Sequence, residues 1–110
     1  MTSQALNQQN AEREAEIFSA LADPTRLKLV KLLCLQHVQD ALCVNALSAL
    51  LGVSQSAVSQ HLRVLRSTGL VRGERRGYHI HYFIDSNTLE YCHNLILHAL
   101  VIKEFNEEDV

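Results

Sequence analysis

The sequence has no long apolar run: Leu32-Leu33-Cys34-Leu35 is typical of its longest, far below the roughly 20 residues that a membrane-spanning helix requires. Cysteine is sparse and odd in number, with Cys34, Cys43 and Cys92 scattered along the chain. That excludes a disulfide framework and suits a reducing compartment. Met1 to Asn10 carries neither a basic segment nor an apolar stretch, so no export signal is read and the cytoplasm is the expected location. A glycine-rich phosphate loop, paired motif carboxylates and a nucleophile beside an evident base are all missing, so catalysis is not expected. Proline occurs once. What remains is a chain of 110 residues, 47% apolar and 20% charged, which reads as one domain. A chain this short buries only roughly 65% of its unfolded surface, and dimerisation is a common way to complete such a core.

Net charge is only −2, but its distribution is uneven. Residues 54–82 hold Arg63, Arg66, Arg72, Arg75 and Arg76 against Glu74 alone, a net of +4 inside an otherwise acidic chain. Such a stripe suits nucleic acid, because neutralising phosphates supplies most sequence-independent affinity. A solvated face with clustered charge is the plainer alternative.

Helical spacing of Ala15, Ile17, Phe18 and Leu21 predicts a helix over 11–21, preceded by a flexible tail over 1–10. Asp23 as N-cap and Pro24 at the first helical position open a second helix to about Gln36, with Leu27, Val30, Leu33 and Cys34 as its inner face. A polar loop follows from His37 to Ala41. A short third helix fits Val44 to Leu51 and stops at Gly52. Ser54 caps a fourth, Gln55 to about Ser67, whose inner stripe is Ala57, Val58, Leu62 and Leu65. Its outer face carries Gln55, Ser56, Ser59, Gln60, Arg63 and Arg66, all hydrogen-bonding chemistry. Two helices joined by a tight turn, the second polar and basic, predict a helix-turn-helix whose second helix enters the major groove. Strands at Leu70 to Arg72 and Tyr78 to Ile84 around a basic tip, Gly73 to Gly77, predict a β-hairpin wing. A last helix is expected from Asp85 to Lys103, too apolar to be a free surface helix, followed by an acidic tail over 104–110. The expected fold is mainly α with a small β-hairpin, a winged helix-turn-helix of order ααααββα.

Three stretches resemble the ArsR/SmtB family of bacterial and archaeal transcriptional repressors. They are Leu21-Ala22-Asp23-Pro24-Thr25-Arg26-Leu27, then Leu42-Cys43-Val44 with the run from Leu51 to Leu65, then Gly69-Leu70-Val71 through His81-Tyr82. The resemblance implies a homodimer, paired through its first and last helices, that represses an operon and lets go when an inducer binds. The partners expected are therefore double-stranded operator DNA and a second copy of the chain, with no membrane. Ser54, Gln55, Ser56, Ser59, Gln60, His61 and Arg63 are the candidate base-reading residues, with Arg75 and Arg76 on phosphate or in the minor groove from the wing. Phe18, Leu89, Cys92, Ile96, Ala99 and Leu100 are the candidate dimer contacts.

The inducer is open. A family metal site across the paired last helices maps onto Asp85, Asn87, His98 and Val101, of which Val101 cannot bind a metal. A Cys-x-Cys site at the third helix maps onto Cys43 and Asn45. Thiol sensors of the family place cysteines on the second and last helices, where Cys34 and Cys92 lie, at other positions. The candidate sensing residues are thus Cys34, Cys43, Cys92, Asp85 and His98, taking a transition-metal ion, a metalloid or a thiol reagent. Core packing is the plain reading of Cys34 and Cys43, and a small apolar contact that of Cys92. His79 and His81 share a strand face and suit a structural or DNA-facing role. Two other functions stay in play: a repressor with no small-molecule inducer, and a winged helix whose basic face binds a protein.

Overall fold

Residues 3–35, 42–104 and 107–109 are described by a computed structural model of the chain. Helices α1 (Ser3–Leu21) and α2 (Pro24–Leu35) lead to strand β1 (Leu42–Cys43), helices α3 (Val44–Leu51) and α4 (Gln55–Ser67), strands β2 (Val71–Arg76) and β3 (His79–Ile84), and helix α5 (Ser86–Asn94). The expected loop from His37 to Ala41 lies outside the described residues.

Local chemistry sets most of the boundaries. Asp23 Oδ2 accepts from the Arg26 amide at 2.9 Å and caps α2, and Pro24 opens the helix where no N–H is needed. The Arg26 Nε donates to the Ala20 carbonyl at 2.6 Å, so the same residue ties off the end of α1. Helix α3 stops at Gly52, whose φ of +68° lies in the left-handed region that glycine enters at no steric cost. Ser54 Oγ accepts from Ala57 N at 3.1 Å and starts α4. Asp85 Oδ1 accepts from Thr88 N at 3.0 Å and starts α5.

Four boundaries differ from those the sequence led us to expect. Helix α1 begins at Ser3 rather than Ala11, because Gln4 to Gln9 contains no helix breaker and is rich in good helix formers; Gln8 also donates to Glu12 one turn on at 3.0 Å. A third strand is present: β1 pairs antiparallel with β3, Leu42 opposite Tyr82 and Cys43 opposite His81, giving the order β1-β3-β2. Two residues are too few to show periodicity. Gly73 to Arg76 are not a tip but ladder residues, Gly73 opposite Tyr82 and Arg76 opposite His79, since an edge strand tolerates charge. The turn is Gly77-Tyr78, with Gly77 at φ +65°. Finally, α5 gives way at Leu95–Ala99 to a wider turn closed by Leu100 N on Leu95 O, and 101–104 is not helical, so the helix falls short of Lys103. Beyond Asn94 the apolar side chains face solvent, and packing within the chain does not hold further regular turns. In the acidic tail, Glu107–Asp109 makes one 3-10 turn.

The core gathers Ile17 and Ala20 from α1, Leu29, Val30 and Leu33 from α2, Leu47 from α3, and Val58, Leu62 and Leu65 from α4. Leu70, Val71, Tyr82 and Cys92 close it. Leu27 and Cys34, expected on the inner face of α2, are exposed; Leu29 takes the inner place because α2 is covered on the side facing α3 and β3. Helices α1 and α5 are linked by Tyr91 Oη, which donates to Glu14 Oε2 at 3.0 Å, and by Arg13 lying 5.6 Å from the Tyr91 ring centre.

Candidate nucleic-acid interface

Burying Val58, Leu62 and Leu65 fixes the rotation of α4 and leaves Gln55, Ser56, Ser59, Gln60 and Arg63 exposed together on its far side. These five stand where the sequence placed them. Ser54 is exposed beside them, with its hydroxyl committed to the helix cap. His61 does not join them. It is half-buried and turned toward α2, with Nδ1 3.4 Å from Arg26 Nη1 and 4.0 Å from Asp23 Oδ2. A position three residues from Val58 and one from Leu62 lies at the margin of the buried stripe, where a polar residue reads equally well as inside or outside.

On the wing, Arg75 is exposed. Arg76 is held instead: its guanidinium carbon lies 4.9 Å from the Phe83 ring centre and its Nε 3.8 Å from Glu74 Oε1. Arg72 approaches the same ring at 4.8 Å and the same carboxylate at 3.4 Å. Glu74 thus neutralises part of the wing charge, which a count of arginines overlooks. Tyr78, at the tip, is 99% exposed, and Arg66 is exposed on the last turn of α4. Arg66 lies on the outer face that the sequence predicts for α4, one turn from Arg63, whereas nothing in the sequence marks Tyr78.

The candidate sensing residues do not converge within the chain. Cys34 is exposed at the end of α2, on the edge of a cavity of about 420 Å³ shared with Phe83, Glu90 and His93, and partial desolvation there pushes its thiol pKa up. Cys43 is half-buried on β1. Cys92 is buried in the core, and burial raises its thiol pKa while Arg13 opposes the rise. Asp85 is engaged as the α5 cap, and its hydrogen bond from the Thr88 amide holds its carboxyl below the usual carboxylate range. His98 is exposed in the wide turn beyond the end of α5, whereas Asp85 caps the start of that helix, so the two stand at opposite ends of it. Among the described residues no three of His, Cys, Asp and Glu are placed to hold a metal ion. His81 Nδ1 is buried with no hydrogen-bond partner among those residues.

The candidate dimer contacts divide. Ile96, Ala99 and Leu100 are exposed and Phe18 is half-buried. Leu89 packs against the core and Cys92 lies within it, so Cys92 turns away from the seam expected of it. The reason is the helical phase: residues 88 and 92 face inward, and the apolar stripe rotates toward solvent only beyond Asn94.

Residues 23–72 match the family described as bacterial regulatory protein, arsR family. The chain is 42% identical over 99 residues to a transcriptional repressor SmtB homolog of Synechocystis sp., spanning 90% of this chain and 68% of that protein. It is 40% identical over 81 residues to the arsenical resistance operon repressor of Escherichia coli, spanning 74% and 67%. Its fold is similar to a homodimeric winged helix-turn-helix DNA-binding domain from Mycobacterium bovis, with a TM-score of 0.70, 23% identity and coverage of 88% and 85%.

Proposed function

The chain belongs to the ArsR family of bacterial regulatory proteins, and from that premise we propose that it is a transcriptional repressor that binds an inverted-repeat operator as a homodimer. The observation that carries the reading is the outer face of α4. Gln55, Ser56, Ser59 and Gln60 stand exposed together beside Arg63, with the amide and hydroxyl groups that read base edges in the major groove. Protein-binding surfaces favour aromatic and aliphatic anchors, and this face has none. Two-fold symmetry would place two such helices on half-sites roughly 34 Å apart. The role is regulatory, without catalysis, and is exercised in the cytoplasm on double-stranded DNA. Residues 11–103 would form the DNA-binding and dimerisation domain, which the extension of α1 to Ser3 lengthens at its start.

Selection of binders from a random duplex library tests this directly. An inverted repeat should emerge, and Ser56→Ala/Gln60→Ala should lose about 1–3 kcal/mol for each base contact removed, at fixed salt. Recovery of no common sequence, or a double variant that binds the repeat like wild type, would overturn the assignment.

Release from the operator is proposed to run through Cys34, the exposed thiol on the edge of the cavity between α2 and α5. The name of the arsenical repressor relative supports a soft, thiol-seeking inducer.

A further inference from the structure

The seven arginines of the chain fall into two groups. Arg13 lies over Tyr91, Arg26 bonds the Ala20 carbonyl, and Arg72 and Arg76 share Glu74 and Phe83. The guanidinium groups of Arg63, Arg66 and Arg75 have no ion pair, hydrogen bond or ring contact among the described residues.

Their placement is not random. Arg63 and Arg66, with Ser59 one turn before them, line a groove of about 500 Å³ between α4 and the sheet, closed by Leu62, Ser67 and Tyr82. Strand β2 alternates its faces, so Gly73 and Arg75 turn toward α4 while Arg72, Glu74 and Arg76 turn away. At Gly73 the strand is bare: a Cβ there would stand 3.0 Å from Ile80 Cγ2, 3.5 Å from Tyr82 Cε1 and 3.7 Å from the guanidinium carbon of Arg66. Arg66 thus approaches the strand at the groove wall, beside a position that carries no side chain. Uncompensated planar forks at the margin of a major-groove helix suit a phosphodiester, which accepts two parallel N–H bonds from one guanidinium.

We propose that the groove between α4 and the wing seats a phosphate of the DNA backbone, held by Arg63 and Arg66 and continued by Arg75, and that Arg72 and Arg76 brace the wing from its opposite face without touching DNA. The proposal rests on the DNA-binding reading. It moves the wing's phosphate contact from the pair Arg75/Arg76 to the α4 side of the sheet, and it takes Arg63 out of the base-reading set, which keeps Gln55, Ser56, Ser59 and Gln60.

The test is anisotropy of a labelled duplex, either the selected repeat or a random 30-base-pair sequence, titrated with the full chain across a range of salt concentrations. Arg66→Ala and Arg66→Gln should shallow the plot of log affinity against log salt by about one unit per seat, hence about two per dimer. Both should weaken the repeat and the random duplex by the same factor. Arg76→Ala should leave the slope unchanged, and ethylation of one phosphate per half-site should interfere with wild type but not with Arg66→Ala. Arg66 variants that keep the wild-type slope, or an Arg76→Ala variant that alone loses it, would overturn the phosphate seat while leaving DNA binding intact. A wild-type chain that binds neither duplex would overturn the DNA-binding reading and the seat with it.

Discussion

Asp23 performs two tasks with one carboxylate. It caps α2 through the Arg26 amide and lies near His61 of α4, and the amide bond is the main reason its pKa falls below the ordinary carboxylate value. A carboxyl whose pKa is depressed by folding stabilises the fold above its unfolded value and ceases to do so as pH falls through its folded one. Asp23→Ala should therefore melt below wild type at neutral pH, and the gap should close as the pH drops beneath about 4. Thermal melts across that range check the sign. Ser54→Ala removes a neutral cap, so it should cost about 1 kcal/mol at any pH. The cysteines separate on accessibility: Cys34 should alkylate well before buried Cys92 in the folded chain. Because its pKa is raised, its rate should keep climbing with pH where that of an unburied cysteine has levelled off. Mass spectrometry of timed iodoacetamide reactions reads both, and equal rates for the two thiols would refute the difference.

At the level of elements, what was legible in the sequence was whatever short-range chemistry dictates. Asp23-Pro24, Gly52, Ser54 and Asp85 each mark a boundary because a cap or a left-handed residue acts within one turn, and α3 and α4 run over the residues those marks delimit. The illegible parts depend on distant partners. The pairing of β1 exists only because β3 lies beside it, and the basic run Glu74-Arg75-Arg76 read as a tip because charge and ladder pairing are compatible at an edge. The candidate site divides in the same way. The exposed face of α4 follows from its period, whereas the inward turn of His61 and the capture of Arg76 by Glu74 and Phe83 need the third dimension. Helix α3 positions α4 through Leu47, which is fully buried, so Leu47→Ala should cost about 2–5 kcal/mol in denaturant unfolding. It should also weaken DNA binding only as far as it unfolds the chain; a binding defect in a fully folded variant would show a more direct role.

At the scale of the whole molecule, the radius of gyration is 16.5 Å, against about 13 Å for a compact chain of this length. The excess reflects a long α1 and an exposed apolar end after α5, where Ile96, Leu97 and Leu100 are 49%, 64% and 65% exposed. Such a surface on a chain whose α1 and α5 are already bonded through Tyr91 and Glu14 fits a partner copy laid along both helices. Light scattering should give about twice the 12.4 kDa of one chain, and Ile96→Glu/Leu100→Glu should return it to one. The dimer also defines how an inducer can act. A ligand shifts operator affinity only if it prefers one dimer arrangement, and Cys34, Glu90 and His93 line the cavity between α2 and α5, the helix that leads into the exposed apolar end proposed as the seam. A coupling of about 1–3 kcal/mol would change operator affinity roughly 5- to 150-fold. Arsenite or a persulfide donor added to the protein–operator complex should therefore release DNA from wild type and spare Cys34→Ser, with zinc, nickel and peroxide titrated beside them. Release that survives Cys34→Ser would move the switch to Cys43, Cys92 or the Asp85/His98 pair. No release by any of the five would leave a repressor whose hold on DNA is set by the dimer alone.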